Sequence, residues 1–206
     1  MSARTRRIAA VSLHAVIAVL VAYAWNRMFA AHEVGTLDGS GWAILKYFTV
    51  LSNLFQGLVS LVTAVCLLLP ARWEKRWLIL LNYAAAVSVG LTFFTVMVYL
   101  GPVFGFPFMF QGSNLHFHLI VPVLSMLTWC FVMRGRIDAR EIFFGVSPML
   151  LYGFWYVGNL AVNGIEGNDF YFFAHRGWGQ APVSFALMIA LAAAIAALLR
   201  LTHRKG

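Results

Sequence analysis

The chain has 206 residues, of which 62% are hydrophobic and only 11% are charged, and its mean hydropathy is +0.81. This composition excludes an ordinary soluble globular domain and indicates an integral membrane protein. The net charge of +8 predicts membrane topology rather than nucleic-acid binding, because the basic residues concentrate at the termini and in alternate connections between apolar segments.

Six apolar segments are each close to the roughly 20 residues that a helix needs to cross a bilayer. They span about 9–29, 43–69, 77–99, 115–133, 141–161 and 181–201. Short basic turns, such as "PARWEKR" and "RGRIDAR", make their flanking helices antiparallel neighbours. The sequence therefore predicts an all-α membrane protein, with residues 1–206 forming one bundle of six transmembrane helices.

The first apolar segment follows the basic start "RTRR". Its apolar run is longer than the 7 to 15 residues or so of a signal peptide, so we expect a retained first helix. Basic residues on one side of the predicted bundle place both termini in the cytoplasm by the positive-inside rule. Those on that side are Arg4, Arg6, Arg7, Arg72, Lys75, Arg76, Arg134, Arg136, Arg140, Arg200, Arg204 and Lys205.

The second segment opens with "YFTVLSNLFQ", which places four polar side chains on one helical face. These are Thr49, Ser52, Asn53 and Gln56. Similar rows occur in the third segment (Ser88, Thr92, Thr95, Tyr99) and the fifth (Tyr152, Tyr156, Asn159, Asn163). Interhelical hydrogen bonds, at about 1 kcal/mol or less each, explain single contacts of this kind. Rows that meet at the outer end predict an outward-facing polar cavity.

The outer connections are rich in aromatic residues, for example "GPVFGFPFMFQGSN" and "NDFYFFAHRGW". Aromatic residues at this level are typical of an interfacial belt. A lid over a lipid-accessible cavity is the alternative interpretation.

The fourth segment opens with "SNLHFHLIVPVL". His118 and Thr49 both lie about 6 to 10 Å inside their helix entrances. Pro122 lacks the N–H that would bond the carbonyl of His118, which marks this turn as irregular. A hydroxyl near an imidazole is the minimal pairing of nucleophile and base. Ser52 is an alternate nucleophile and His116 an alternate base.

Two asparagines near these groups are candidate donors to an oxyanion, Asn53 and Asn114. The remaining residues expected to line the cavity are Gln56, Tyr156 and Asn159.

"KYFTVLSNLFQGLV", followed about 65 residues later by "SNLHFHLIVPVL" in a basic-ended six-helix chain, resembles the androgen-induced protein family and its bacterial relatives. The animal members of that family hydrolyse fatty acid esters of hydroxy fatty acids. The resemblance implies a threonine nucleophile and a histidine base, which match Thr49 and His118 here, although "HFH" also fits His116. The "SN" after the threonine is similar to the bacterial branch, which implies a bacterial inner membrane.

On this interpretation, the partners are membrane lipids and a lipid-like ester substrate, with no nucleic acid and no cofactor; the oligomeric state stays open. No carboxylate lies at the depth of His118 to orient its imidazole. A folded-back Asp169 or the amide of Asn114 is the expected third group.

Two other classes stay open from the sequence. The first is a non-enzymatic lipid or small-molecule binding protein or transporter, although no charged residue lies at mid-bilayer depth. The second is a metal site, because four histidines fall on the outer side: His32, His116, His118 and His175. The "HFH" spacing suits two ligands on a strand better than on a helix, so no metal is expected.

Overall fold

The computed structural model describes residues 2–30, 40–69 and 76–202. These residues form six long helices and no strand. The helices are α1 (Ala3–Ala30), α2 (Phe48–Leu68), α3 (Arg76–Phe104), α4 (Ser113–Phe131), α5 (Ile142–Asn163) and α6 (Ala181–Leu201). Short helical turns precede α2 (Gly41–Lys46), α4 (Phe106–Met109) and α5 (Ala139–Glu141).

Five of these helices, α1, α2, α3, α4 and α6, are long and apolar enough to cross a membrane. The predicted all-helical membrane fold is confirmed to that extent. Helix α5 has 22 residues and coincides with the predicted segment 141–161, but it is not among the five. Its aromatic, glycine, proline and asparagine residues lower its hydropathy, so its membrane crossing stays a prediction, as does the orientation of the termini.

Helix α3 forms the centre of the bundle and packs against α2, α4, α5 and α6, while α1 packs mainly against α2. One apolar cluster surrounds Tyr83, Trp129 and Tyr156 and joins α3, α4, α5 and α6. A second cluster around Ile17, Val50 and Phe117 joins α1, α2 and α4. Helix α3 can be buried on nearly all sides because alanine, glycine and valine dominate its middle.

Two π-helical turns interrupt the helices at the end of the bundle opposite the basic residues, which is called the outer end after the predicted topology. Val96–Leu100 lies within α3 and His116–Ile120 within α4. In α4, the N–H of Val121 bonds the carbonyl of His116 five residues earlier, and Pro122 follows directly. The irregular turn expected around Pro122 is therefore a π turn, a feature that often occurs at functional sites.

At the opposite end, Arg76 ties the start of α3 to the turn before α5. Its guanidinium donates to both carboxylate oxygens of Glu141 and to the carbonyl of Arg136. Burial acts against ionisation of Glu141, but bonds from Arg76 and from the amide of Asp138 outweigh it and lower the pKa of this carboxyl. The pair fixes the relation between α3 and α5 at the basic end.

Helices α1 and α2 pack closely at Gly57, and a substitution there tests this packing. A Cβ atom at Gly57 would lie 2.6 Å from Cγ1 of Val21. At Gly158, in α5, a Cβ atom would meet nothing within 4 Å. We predict that Gly57→Ala destabilises the protein by about 1 to 3 kcal/mol through overpacking. Gly158→Ala should be neutral or stabilising, because alanine favours helix over glycine by up to about 1 kcal/mol.

The measurement is the unfolding temperature of the purified protein in detergent. The double variant with Val21→Ala and Gly57→Ala should recover part of the lost stability, because it removes the Cγ atoms of Val21. Equal unfolding temperatures for Gly57→Ala and Gly158→Ala would contradict this close packing of α1 on α2.

Candidate functional site

Thr49 lies in the first turn of α2 and lines a narrow cavity of about 30 Å³ at the outer end of the bundle. Its side chain is almost fully buried, with 7% of its surface exposed. The other residues around the cavity come from α2 (Phe48), α3 (Thr92, Thr95, Tyr99, Leu100), α5 (Met149, Tyr152), the loop before α6 (Tyr171, Phe173) and α6 (Met188). The cavity at Thr49 is small and largely apolar, and the outward-facing polar cavity stays a prediction.

The loop between α5 and α6 covers this cavity through Tyr171 and Phe173. The hydroxyl of Tyr171 accepts the N–H of Phe48 at 2.9 Å and also interacts with the hydroxyl of Thr49. Burial raises the pKa of Tyr171 to about 12, so its hydroxyl keeps its proton and can donate to a group in the cavity. Tyr171 and Phe173 thus line the cavity from this loop, which is called the lid below; its action as a lid stays a prediction.

Asp169 holds this lid in place. Its carboxylate accepts the hydroxyl of Tyr156 at 2.7 Å and the N–H groups of Phe173 and Ala174 at 2.8 and 2.9 Å. The hydroxyl of Tyr156 in turn accepts the N–H of Tyr171 at 3.1 Å. Asp169 is folded back as expected, but onto Tyr156 and the loop amides, so its observed partners do not include His118.

Asn53 links α2 to α4 one turn below Thr49. Its side-chain amide donates to the carbonyl of Thr49 at 2.8 Å and to the carbonyl of Phe117 at 3.0 Å. Both amide hydrogens are then used, so Asn53 has no free hydrogen to offer an oxyanion in this arrangement. Its Oδ1 atom is buried without a partner. Asn53 therefore serves to hold Thr49 next to the turn that contains His118.

His118 is buried, and its Nδ1 atom lies 2.7 Å from the carbonyl of Met109. A carbonyl only accepts, so Nδ1 carries the proton and Nε2 has the free lone pair of a base. No hydrogen bond joins Thr49 and His118 among the residues that the structure describes. The fold brings Thr49 and His118 to one end of the bundle, on helices bridged by Asn53, but without a hydrogen bond between them.

The alternate residues have different surroundings. Ser52 bonds the hydroxyl of Thr92 at 3.0 Å and the carbonyl of Thr49 at 3.1 Å, which fixes α2 to α3. His116 faces α1, where its ring lies 5.4 Å from that of Tyr23 and its buried Nδ1 has no partner. Neither residue lines the cavity at Thr49.

Three other predicted cavity residues lie away from this lining. Tyr156 is fully buried and bonds Asp169 as described, whereas Asn159 is half-buried and accepts a bond of 2.9 Å from the exposed Asn163. Asn114 is buried at the start of α4. The polar row of α5 therefore leaves the buried interior beyond Tyr156, where Asn159 is half-buried and Asn163 is exposed.

A wide apolar groove of about 830 Å³ adjoins the cavity on the membrane-facing side of α2 and α5. Phe48 and Tyr152 line both spaces, and their rings lie 5.2 Å apart, so this pair forms the wall between them. The groove also contains Leu51 and Leu151, and Lys46 lies at its outer end with its ammonium 5.1 Å from the ring of Tyr47. A groove of this size and polarity suits an acyl chain.

The polar face of α2 continues far below Thr49, which sequence reasoning missed. Gln56 donates to Ser60 at 2.8 Å, Ser60 bonds His14 of α1 at 3.1 Å, and Thr63 accepts from Asn82 of α3 at 2.8 Å. Buried polar atoms without a partner lie along the same interior. They are Oδ1 of Asn53, Oε1 of Gln56, Oγ of Ser125 and Oγ1 of Thr128. A search for polar residues at helical spacing beyond Gln56 would have found Ser60 and Thr63.

No group of three metal-ligating side chains occurs within the described parts of the chain. His116 and His118 are engaged with Tyr23 and Met109, and His175 packs against Phe172. The fourth histidine of the metal hypothesis, His32, lies outside the described residues.

Comparisons with family models, with curated proteins and with solved structures found no match to this chain.

The role of Asp169 in holding the lid gives a direct test. We predict that Asp169→Asn increases amide hydrogen exchange in residues 170–176, because it weakens the three hydrogen bonds that the carboxylate accepts. A hydrogen bond to a charged group contributes about 1.5 to 3 kcal/mol. Glu166→Gln is the matched control, since Glu166 is exposed in the same loop. Exchange measured by mass spectrometry should change for Asp169→Asn alone. Equal effects from both variants would show that the loop does not depend on these bonds.

Proposed function

We propose that the protein is an intramembrane hydrolase of lipid esters that uses Thr49 as nucleophile and His118 as base. The observation that carries this proposal is the position of Thr49. Thr49 lines a narrow cavity that shares the wall of Phe48 and Tyr152 with an acyl-sized groove. The resemblance to the androgen-induced protein family supports the same assignment and names fatty acid esters of hydroxy fatty acids as the substrate class.

In the proposed reaction, the acyl chain enters the groove from the membrane and the ester carbonyl reaches the cavity. The Thr49 oxygen attacks the carbonyl carbon while Nε2 of His118 accepts the hydroxyl proton. The tetrahedral intermediate collapses to acyl-Thr49, and His118 returns the proton to the departing alcohol. Water then attacks the acyl group with His118 again as base, which releases the fatty acid and restores Thr49.

Two hydroxyls in the cavity suit the negative charge that develops on the carbonyl oxygen. Tyr171 keeps its proton and interacts with Thr49. Thr95 has a buried hydroxyl without a partner. Donors held in a water-poor site stabilise such charge strongly. These residues replace Asn53 as the best candidates for an oxyanion donor, since both amide hydrogens of Asn53 are already bonded.

The reaction also requires that His118 approaches Thr49 when substrate is present, since the two are not bonded in the described structure. Catalytic hydrogen bonds are often long or absent without substrate. The π turn at His116–Ile120 gives α4 an irregular segment at which such a shift can occur.

The first test is labelling of the purified protein by a fluorophosphonate probe in detergent. We predict that wild type, Ser52→Ala and His116→Ala are labelled and that Thr49→Ala is not. His118→Ala should label about 10² to 10⁴ times more slowly, which is the usual contribution of a general base. Ser52 and His116 are matched controls, because each is a similar side chain within three residues of its counterpart.

Each variant needs an unfolding temperature near that of wild type before its labelling is compared. A folded wild-type protein that is not labelled, or one that loses labelling only in Ser52→Ala, would overturn the assignment of Thr49.

A second candidate function is movement of a small polar solute through the bundle. The buried polar groups from Thr49 to Thr63 support it, because two of their own polar atoms (on Asn53 and Gln56) and two on the neighbouring α4 (on Ser125 and Thr128) lack protein partners at a depth where lipid supplies none. Water or a small solute would satisfy them. This function needs no ionisable group at mid-bilayer, which agrees with the sequence.

Osmotic shrinkage of proteoliposomes, followed by light scattering, separates this function from hydrolysis. If the interior conducts water or glycerol, wild-type vesicles shrink faster than empty ones, and Gln56→Leu removes the difference by placing an apolar side chain in the path. Gln111→Leu is the control, since Gln111 is exposed at the outer surface. Equal rates for wild-type and empty vesicles would contradict conduction of these solutes.

A further inference from the structure

A second cavity, of about 280 Å³, opens at the basic end of the bundle, opposite Thr49. It lies between the start of α1, the end of α2, the start of α3 and the end of α4. Its basic residues are Arg6 and Arg7 from α1 and Arg134 just after α4, and its inner wall includes the buried hydroxyl residue Thr63. The proposed hydrolysis does not use this cavity, and the buried polar groups considered for conduction reach it only at its inner wall, at Thr63.

None of the described residues that line the cavity is acidic. The carboxylates described at this end are already paired with other arginines: Asp138 with Arg136 at 3.1 Å, and Glu141 with Arg76. The residues 70–75, outside the described structure, add two basic side chains and one acidic one. The guanidinium groups of the cavity therefore have no described carboxylate to balance their charge.

Arg7 is held in position by the end of α2. Its Nε and Nη2 atoms donate to the carbonyls of Leu67 and Leu69 at 2.5 and 2.6 Å. These carbonyls lie at the C-terminal end of the helix, where the last carbonyls lack helical partners. The Nη1 group of Arg7 is not used by these bonds. Arg6 approaches the same cavity from α1, and Arg134 approaches it from the segment just after α4.

We propose that this cavity binds a phosphate group. Guanidinium groups match the geometry and charge of phosphate oxygens. Basic pockets between transmembrane helices on the cytoplasmic side are typical sites for anionic headgroups. The position at the membrane boundary allows two sources for this group, the headgroup of an anionic phospholipid or a soluble phosphate.

The experiment measures binding to the full chain in detergent by native mass spectrometry and by the shift in unfolding temperature. The ligands are dioctanoyl phosphatidylglycerol, inorganic phosphate and, as a control whose headgroup is zwitterionic and carries no net charge, dioctanoyl phosphatidylcholine. We expect phosphatidylglycerol to bind and stabilise the protein more than phosphatidylcholine does. Stabilisation by inorganic phosphate alone would assign the site to a soluble phosphate instead.

The test variant is Arg6→Gln combined with Arg134→Gln, which leaves Arg7 and its bonds to α2 intact. The affinity of this variant for phosphatidylglycerol should fall about thirtyfold, because each arginine near a membrane surface contributes a factor of about ten or less. Arg136→Gln combined with Arg140→Gln is the matched control, because it removes the same charge from the same end outside the cavity.

An equal loss of affinity in both double variants would overturn the proposal, since binding would then reflect net charge alone. Failure of the wild-type protein to bind either phosphatidylglycerol or phosphate would also overturn it. Neither outcome bears on the labelling of Thr49, because the two sites lie at opposite ends of the bundle.

Discussion

The structure depends on the burial of polar side chains inside a bundle whose outside is apolar. At membrane depth, lipid offers no hydrogen-bond partner, so each such group must find one within the protein or from enclosed water. Most do: Ser52 bonds Thr92, Ser60 bonds His14, and Asn82 bonds Thr63. These bonds specify which face of α2 meets α1 and α3. They are worth little individually, but an apolar interface alone would not distinguish one helix rotation from another.

The two ends of the bundle use this interior differently. At the outer end, π turns in α3 and α4 widen the helices, and the loop after α5 covers the resulting space with Tyr171. At the basic end, regular helices are fixed by arginines that bond carbonyls and carboxylates, as Arg76 does. A site that must admit and release a molecule needs the irregular end, because packed regular helices have few alternative arrangements. The position of Thr49 at that end is therefore consistent with a site of binding or chemistry.

Sequence patterns predicted the helices well because a membrane helix needs only length and hydropathy, both of which are local. They predicted α2 to begin five residues too early, since the largely apolar stretch Gly41–Lys46 forms a separate 3₁₀ turn before the helix. Periodicity predicted that Thr49 lines a cavity. It could not show that Asn53 donates both amide hydrogens to backbone carbonyls, or that Nδ1 of His118 bonds the carbonyl of Met109. Those facts depend on contacts between distant parts of the chain. Tyr171 was missed for the same reason, because only the folded loop brings it to Thr49.

Thr49 occupies the boundary between two environments, and this bears on what it can bind. Below it, α2 presents polar groups into the bundle, while beside it the wall of Phe48 and Tyr152 separates the cavity from an apolar groove. A lipid ester has the same division, with a polar carbonyl next to a long apolar chain.

Binding the chain in the groove would bring the carbonyl to the polar side only if the wall opens. Since the ring of Tyr152 packs on Phe48 and its hydroxyl bonds the carbonyl of Lys46 at 2.6 Å, opening would also move the turn that begins α2. Entry of the chain and movement of Thr49 would then be coupled, which would restrict chemistry to the state in which substrate is bound.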